Sequence, residues 1–482
     1  MRSTFTGLNI GYSGLAAQQR ALDITGHNVA NANTQGYTRQ EVIMQATPAL
    51  KVLKGYVGTG VDIAEIRRVK DQFLEIQMRT ESKALGEWET KANLLNKLEV
   101  IFNEPSETSV RSVMDQFWEA WQVLAKNPES VAARTTVMQR GTALTSTFNH
   151  LDAQFSDLQA DINKSLAVKA NEINSFARQI GELNHQIIKA EANGGKANDL
   201  RDRRELLLEQ LAKNINIDVT EDQLGAINVT IGGKFLVSRA IVSEVRFFDD
   251  YADPTQAKLE WYDPLAGTSQ GPVRANGGIL KGYQEIRDEV IVEYQEKMSA
   301  LAATIAEEVN TLHRAGYELN GETDRAFFTA DDGSLQFNAR NIRVNPEIIE
   351  DINRIAAAGD FNPDPAADPA VYQGDGKNAL KMAQLKNKLT MTGGAATFGD
   401  FYRSAIGQLG IQGQEASQMV ENKVSLVEQL INRREAVSGV SLDEEMTNMI
   451  RFQHAYTASA RILNVMDEML DIIVNRLGMA GR

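Results

Sequence analysis

The sequence predicts a mainly α chain with a small inserted β domain, built from terminal coiled-coil helices and a multi-helix bundle drawn from both halves. Three observations carry that prediction. Prolines are few and uneven, 10 in 482 residues, with seven between Pro254 and Pro369 and none beyond, and proline breaks helix interiors. From Leu144 the apolar positions Phe148, Leu151, Phe155, Leu158, Ile162, Leu166, Ala170, Ile173, Phe176, Ile180, Leu183 and Ile187 follow at steps of three or four, the stripe of one long amphipathic helix. Between about Asn216 and Gly278 the period shortens to two, as in Ile227-Asn228-Val229-Thr230-Ile231, which marks strands.

In chain order, Phe5, Leu8, Tyr12, Leu15, Leu22 and Val29 fall on one heptad track broken by Gln19 and Gly26. This seam runs into Gly26-His27-Asn28-Val29-Ala30-Asn31-Ala32-Asn33-Thr34-Gln35-Gly36-Tyr37-Thr38-Arg39. Asn and Gly tolerate positive φ, so the span reads as a helix stop and a shaped turn, with Tyr37 as an aromatic anchor and Arg39 as one half of a charge pair. Helices are expected over about 66–102 and 109–125, the second carrying Phe117, Trp118 and Trp121. The long helix ends at Asn193-Gly194-Gly195, where glycine can take the left-handed cap conformation. The β segment turns at Gly232-Gly233, and helix resumes over 279–313 and about 399–437. Tyr317 to Gln373 reads as irregular, with a turn at Asp331-Asp332-Gly333, a short strand near Asn341 to Val344 and the loop Phe361-Asn362-Pro363-Asp364-Pro365.

A second seam closes the chain, with Leu442, Met446, Met449, Tyr456, Ala460, Leu463, Leu470, Val474 and Leu477 broken by Gln453 and Asp467. Residues 1–62 and 438–482 are therefore assigned to a terminal coiled-coil assembly domain. Residues 63–215, 279–328 and 374–437 form the helical bundle, 216–278 the inserted antiparallel β domain, and 329–373 an irregular elaboration of the bundle. Helices of this length are marginal alone in water, so the ends are expected to be poorly ordered in the monomer and to fold on assembly.

Composition narrows the chemistry. Hydrophobic residues at 43% and charged residues at 24%, with only 36 Gly, exclude wholesale disorder and collagen. A net charge of -14 repels phosphate backbones and anionic membranes, so nucleic acid and membrane insertion are not expected. Cys is 0, which removes disulfides, thiol nucleophiles and Cys-ligated metals. His27, His150, His185, His313 and His454 show no metal-ligand spacing. Gly11-Tyr12-Ser13-Gly14 matches a nucleophile elbow only loosely and lies in a helical pattern. No catalytic residue, metal or cofactor is assigned, and the chain is expected not to be an enzyme. No apolar run approaches the roughly 20 residues of a bilayer span, and no cleavable secretory signal is visible.

The string from Asn28 to Tyr37 resembles the N-terminal signature of the flagellar axial proteins, the rod, hook and hook-associated proteins. Ser441 through Glu444-Glu445-Met446, Gln453-His454-Ala455-Tyr456, Asp467 to Leu470 and Asn475 to Gly478 resemble the matching end. Within that family Gly26-His27-Asn28, Gly36 to Gln40, Asn198 to Asp218 and Gly277 to His313 with Arg287-Asp288-Glu289 are most similar to the hook-associated protein 1 group at the hook–filament junction. The resemblance implies an assembly motif at Asn28, Ala30, Asn31, Asn33, Thr34, Gly36, Tyr37 and Arg39. It also implies packing of Leu8, Leu15 and Leu22 against Leu463, Leu470 and Leu477.

The implied partners are copies of the chain in a tube, the hook protein, the next hook-associated protein toward the filament, and the flagellar type III export apparatus. An export chaperone at Met446, Met449, Tyr456 and Leu463 belongs to the same expectation. The implied destination is the extracellular flagellum, and residues 1–40, with Arg2, Arg20 and Arg39 against Asp23, suit an export segment. Two other readings share some of these features. A hook or rod protein has the same terminal signature but not the helix from Leu144 to Ile187, and a hydrolase or adhesin activity could sit in the outer β domain.

Overall fold

A computed structural model describes residues 6–52, 55–248, 257–263, 266–334, 336–360 and 373–472. Phe5, Val474, Leu477 and the loop Phe361 to Pro365 lie outside the described residues. Two units share one chain. The terminal unit pairs α1 (Thr6–Ala30) with α11 (Leu442–Asp471) beside strands β1 (Gln40–Ala46) and β4 (Val61–Arg68). Strands β1 and β4 pair antiparallel from Gln40↔Arg68 to Ala46↔Val61, with a bulge at Ile43/Met44. They carry a two-stranded arm, β2 (Leu50–Val52) and β3 (Gly55–Val57).

The bundle is made of α2 (Gln72–Phe102), α3 (Val110–Lys126), α4 (Val131–Glu191), α5 (Asn198–Asn214), α6 (Ile279–Glu285), α7 (Ile291–Ala315) and α10 (Phe398–Ser438). A five-residue π turn, Ile286–Val290, joins α6 to α7. Phe102 of α2 holds the helices together, with ring centroids 5.5 Å from Phe155 of α4, 5.8 Å from Tyr294 of α7 and 6.4 Å from Tyr402 of α10. A second aromatic group, Phe117, Trp121, Phe327 and Phe328, fills the far end. Burying each such ring contributes about 1.5–3 kcal/mol, which is why the apolar core lies here.

The β insert is two sheets, β5 (Asp218–Glu221), β6 (Ile227–Ile231), β7 (Lys234–Ser238) and β8 (Ile241–Val242) in one, and β9 (Glu244–Phe248), β10 (Lys258–Asp263) and β11 (Thr268–Pro272) in the other. Two asparagines of α4 dock it. Asn174 donates to Val245 O at 2.7 Å and accepts from Val245 N at 2.8 Å, and Asn184 does the same for Ile227 O and N at 2.9 and 3.1 Å. A side-chain amide has the donor and acceptor of a peptide group, so a helix can satisfy a strand edge that would otherwise be buried unpaired. Beyond α7, β12 (Phe328–Ala330) pairs with β13 (Ile342–Val344), and α8 (Pro346–Glu350) and α9 (Lys377–Gln384) lead to α10.

Several expectations are corrected. The long helix starts at Val131, capped by Ser130, thirteen residues before Leu144. Its first turns bury Ala133, Arg134, Val137 and Gly141, and a Cβ on Gly141 would lie 2.9 Å from Phe327 Cε1, so a guanidinium and small side chains interrupt the apolar stripe there. Residues 66–68 belong to β4 and not to the next helix, which begins after the N-cap Asp71. Between residues 40 and 62 the chain forms β1, β2, β3 and the start of β4 and not coiled coil, because β1 pairs with β4 and β2 with β3. The end helices are formed and paired within one chain.

His313 is fully buried beneath Arg325 and Ala356. Ala356 N–H donates to Nε2 at 3.0 Å, so the proton sits on Nδ1 and is donated to Arg325 O at 2.6 Å. Burial pushes the imidazole down to about 4, whereas the unfolded chain titrates near 6.5. The unfolded state therefore takes up the extra proton between those values. The contribution of His313 to stability should be level above about pH 6.5, fall by about 3 kcal/mol toward pH 4, and level off below. Urea unfolding across that range checks this, and His313→Gln, which keeps one donor and one acceptor, should lose this part of the slope.

Candidate functional site: the joint between the terminal helices and the bundle

The motif from Asn28 to Arg39 occupies the place where α1, α11, β1 and the start of α5 meet. α1 ends at Ala30, and the side chain of Asn31 donates to His27 O at 3.0 Å, satisfying a last-turn carbonyl. Thr34 donates to Asn31 Oδ1 at 3.2 Å, and Gly36, at φ 77° against Leu206, reverses the chain. A Cβ there would be strained, so glycine is required by the turn. The reversal returns Tyr37 to the helix it has just left.

Asn28 is 1% exposed and uses every hydrogen-bonding position it has. Its Oδ1 accepts from Tyr37 OH at 2.7 Å and Gln40 N at 3.0 Å, and its Nδ2 donates to Gln40 O at 2.9 Å and Glu445 Oε2 at 3.0 Å. Glu445, also buried, accepts from Arg39 Nε at 2.9 Å, and Arg39 Nη1 reaches Glu444 at 2.6 Å. Arg39 N–H donates to Ser438 O, the last residue of α10, at 2.9 Å. On the bundle side, Thr38 N–H donates to Asp202 Oδ2 at 2.9 Å, Arg68 to Asp202 Oδ1 at 2.8 Å, and Asn198 to Gln40 Oε1 at 3.0 Å. Burial pushes the Asp202 carboxyl up despite Arg68, and burial with Asp199, Asp202 and Glu445 nearby pushes the Tyr37 phenol up, so it stays a donor.

Asn28, Tyr37 and Arg39 are thus brought together, while Asn31, Thr34 and Gly36 shape the turn. Ala30 and Asn33 are exposed and make no part of the network. Gln40, Arg68, Asn198, Asp199, Asp202 and the burial of Glu445 were not foreseen. The signal for Glu445 was masked by the helix start, since Ser441 followed by Glu444 reads as a capping box and explains nearby acids locally.

The helix pair also differs from expectation. α1 and α11 run antiparallel, with Gly7 against Met466, Gly11 against Leu463 and Gly14 against Ser459. A Cβ on Gly11 would lie 3.1 Å from Leu463 Cγ, and one on Gly14 would lie 3.0 Å from Ser459 Oγ. Small residues therefore set the approach, and the buried stripe of α1 is Gly11, Ala17, Ala21, Thr25 and Asn28. Leu8, Leu15 and Leu22 flank it half-buried. On α11, Leu463 and Leu470 are half-buried, as are Met449 and Tyr456, while Met446 is exposed. Ser13, from the loose elbow match, donates to Ile10 O and accepts from Val61 N–H, a structural use. Among the described residues no cluster of metal ligands occurs and no helix is long and apolar enough to cross a membrane.

Asn28→Ala should leave a half-buried phenol and both backbone groups of Gln40 without their partner and take one of two partners from the buried Glu445 carboxylate. A loss of about 3 kcal/mol or more is expected, read by denaturant unfolding, with hydrogen exchange rising first in residues 26–40.

Residues 95–328 match the family described as flagellar hook-associated protein FlgK helical domain, 8–38 the flagella basal body rod protein family, and 434–477 the flagellar basal body rod FlgEFG protein C-terminal family. The chain is 33% identical to flagellar hook-associated protein 1 of Bacillus subtilis over 100% of both chains. It is 25% identical to flagellar hook-associated protein 1 of Escherichia coli over 97% of this chain and 99% of that one. The solved flagellar hook junction protein FlgK from Burkholderia pseudomallei shares the fold, with TM-score 0.65 and 16% identity over 75% of this chain and 100% of that chain. From the full-length likeness and the three matched segments, the chain belongs to the flagellar hook-associated protein 1 family, structural proteins of the hook–filament junction.

Proposed function

We propose that the chain joins hook to filament by entering a tube of identical subunits through the outward faces of α1 and α11. The observation that carries this is what the helix pair leaves uncovered. Its glycine face is used internally, yet Tyr12 is 66%, Met446 59%, Ile450 53% and Val465 48% exposed. Such side chains, each worth about 1.5–3 kcal/mol when buried, suit contact with neighbouring copies. The network around Asn28 then holds the helix pair at one angle to the bundle, so that contacts made by one unit orient the other. In this reading the β insert faces outward and the bundle flanks select the hook protein on one side and the next hook-associated protein on the other.

Export by the flagellar type III apparatus belongs to the same proposal. The cysteine-free composition and the positive first 40 residues support it. A chaperone that holds Met446, Met449, Tyr456 and Leu463 would have to act before α11 docks, because three of these four are half-buried and Leu463 packs against Gly11 of α1. The family is a structural one, and we propose no hydrolase activity for the insert.

Ile450→Asp with Val465→Asp tests the assembly surface. Both positions are exposed, so the purified monomer should keep its Tm and helix content. Incorporation at the junction, measured on isolated hook–filament complexes, should fall roughly tenfold or more. Incorporation at the parent level would remove the outward faces from the proposed mechanism.

A further inference from the structure

The chain holds 14 methionines and no cysteine, so thioethers are its only sulfur and its natural target for a mild oxidant. They are placed unevenly. Met78, Met114, Met298, Met382 and Met391 lie in the core at 4% exposure or less. Met44, Met138 and Met419 are half-buried. Two of these three have a donor on the sulfur, Gln18 Nε2 at 3.8 Å from Met44 Sδ and Thr142 Oγ1 at 3.9 Å from Met138 Sδ. The short helix α11 carries four more, Met446, Met449, Met466 and Met469.

Those four divide by exposure. Met449 and Met466 are half-buried, and Met466 lies on Gly7 of α1, where a Cβ would come within 2.6 Å of its Cε. Met446 and Met469 are 59% and 51% exposed, and among the described residues they are the two exposed methionines of the chain. No hydrogen bond to either sulfur is found among the described residues. Each stands one helical turn from an exposed apolar side chain, Met446 from Ile450 and Met469 from Val465 and Ile472. The most accessible sulfurs are therefore set into the outward apolar face of one helix.

We propose that Met446 and Met469 form an oxidant-sensitive modification site, at which a peroxide turns the outward face of α11 from apolar to polar and so decides whether a free subunit can enter the tube. The effect on assembly rests on the proposed contact of that face with neighbouring copies; the chemistry of the two sulfurs does not. A lone pair of the thioether attacks one oxygen of hydrogen peroxide and the O–O bond breaks. The hydroxide that leaves takes the proton of the transferred oxygen and departs as water. Sulfur is oxidised by two electrons to the sulfoxide, and the peroxide is reduced by two. A sulfoxide oxygen is a hydrogen-bond acceptor, so covering it without a donor costs free energy where covering the thioether released it. Once a neighbour covers the face, the sulfurs are closed to the oxidant, and the modification acts on free subunits alone.

The test treats the purified full chain with hydrogen peroxide for increasing times and maps each methionine by peptide mass spectrometry. The treated chain is then offered to hooks that lack it, and incorporation is measured. Met446 and Met469 should gain oxygen several-fold faster than Met44, Met138 and Met419, and before any core methionine, with helix content unchanged. Incorporation should fall several-fold, and methionine sulfoxide reductases, which return both epimers to the thioether, should restore it. In Met446→Leu with Met469→Leu the ratio of treated to untreated incorporation should stay near one, because the apolar volume is kept and the sulfurs are gone. Equal or faster oxidation of the half-buried methionines overturns the site. A peroxide effect of the same size in the Leu variant places the damage elsewhere and does the same. Full incorporation of a chain oxidised at both sulfurs overturns the switch, and Ile450→Asp with Val465→Asp then separates the two readings. If that variant still fails to enter, only the methionine site falls; if it enters at the parent level, the outward face falls with it.

Discussion

The buried amide of Asn28 is the constraint on which the arrangement of the terminal unit depends. Four hydrogen bonds leave it, to Tyr37, to both backbone groups of Gln40 and to Glu445, and these partners come from the turn, the first strand and the last helix. Apolar contact alone would tolerate a range of helix positions. A buried amide with one set of partners does not, because any slip leaves donors and acceptors unpaired in a low-dielectric interior. Arg39 and Thr38 extend the same logic outward, tying the strand to Glu445, to Ser438 and to Asp202 of α5.

Stability is distributed unevenly as a result. The bundle buries large side chains along nearly the whole of α4, from Val137 to Ile187, and its aromatic clusters span five helices. In the terminal pair the fully buried residues of α1 are Gly, Ala, Thr and Asn, and the single one of α11 is Glu445. Little apolar area is removed from water there, so the pair lies at the low-stability end of the molecule. That asymmetry suits a subunit whose body must fold alone and whose ends gain further cover from neighbours. The close approach of the two helices at Gly7, Gly11 and Gly14 leaves their larger side chains directed sideways and outward, available to another copy.

The β insert shows a related economy of polar groups. Asn174 and Asn184 of α4 satisfy strand edges that a helix surface would ordinarily leave unpaired. Asn184 also accepts from Arg204 at 2.9 Å, so one amide links the long helix, α5 and the insert. Three consecutive parts of the chain are joined at that point.

Wherever bulky apolar side chains repeat at helical spacing, the sequence determined the structure: the stripe from Phe148 to Ile187, the aromatic face of α3 and the helices at 279–315 and 398–438 were legible because local period and burial coincide. Asn28, Tyr37 and Arg39 were legible as a motif, but their partners were not. Hydrogen-bond complementarity between residues hundreds of positions apart, such as Asn28 and Glu445, leaves no periodic trace. The same limit explains the helix pair. Its leucines suggested a seam, while the tertiary structure placed the glycines inward, because the distance between two helices is set by the smallest side chains that face each other and not by the largest that each one carries.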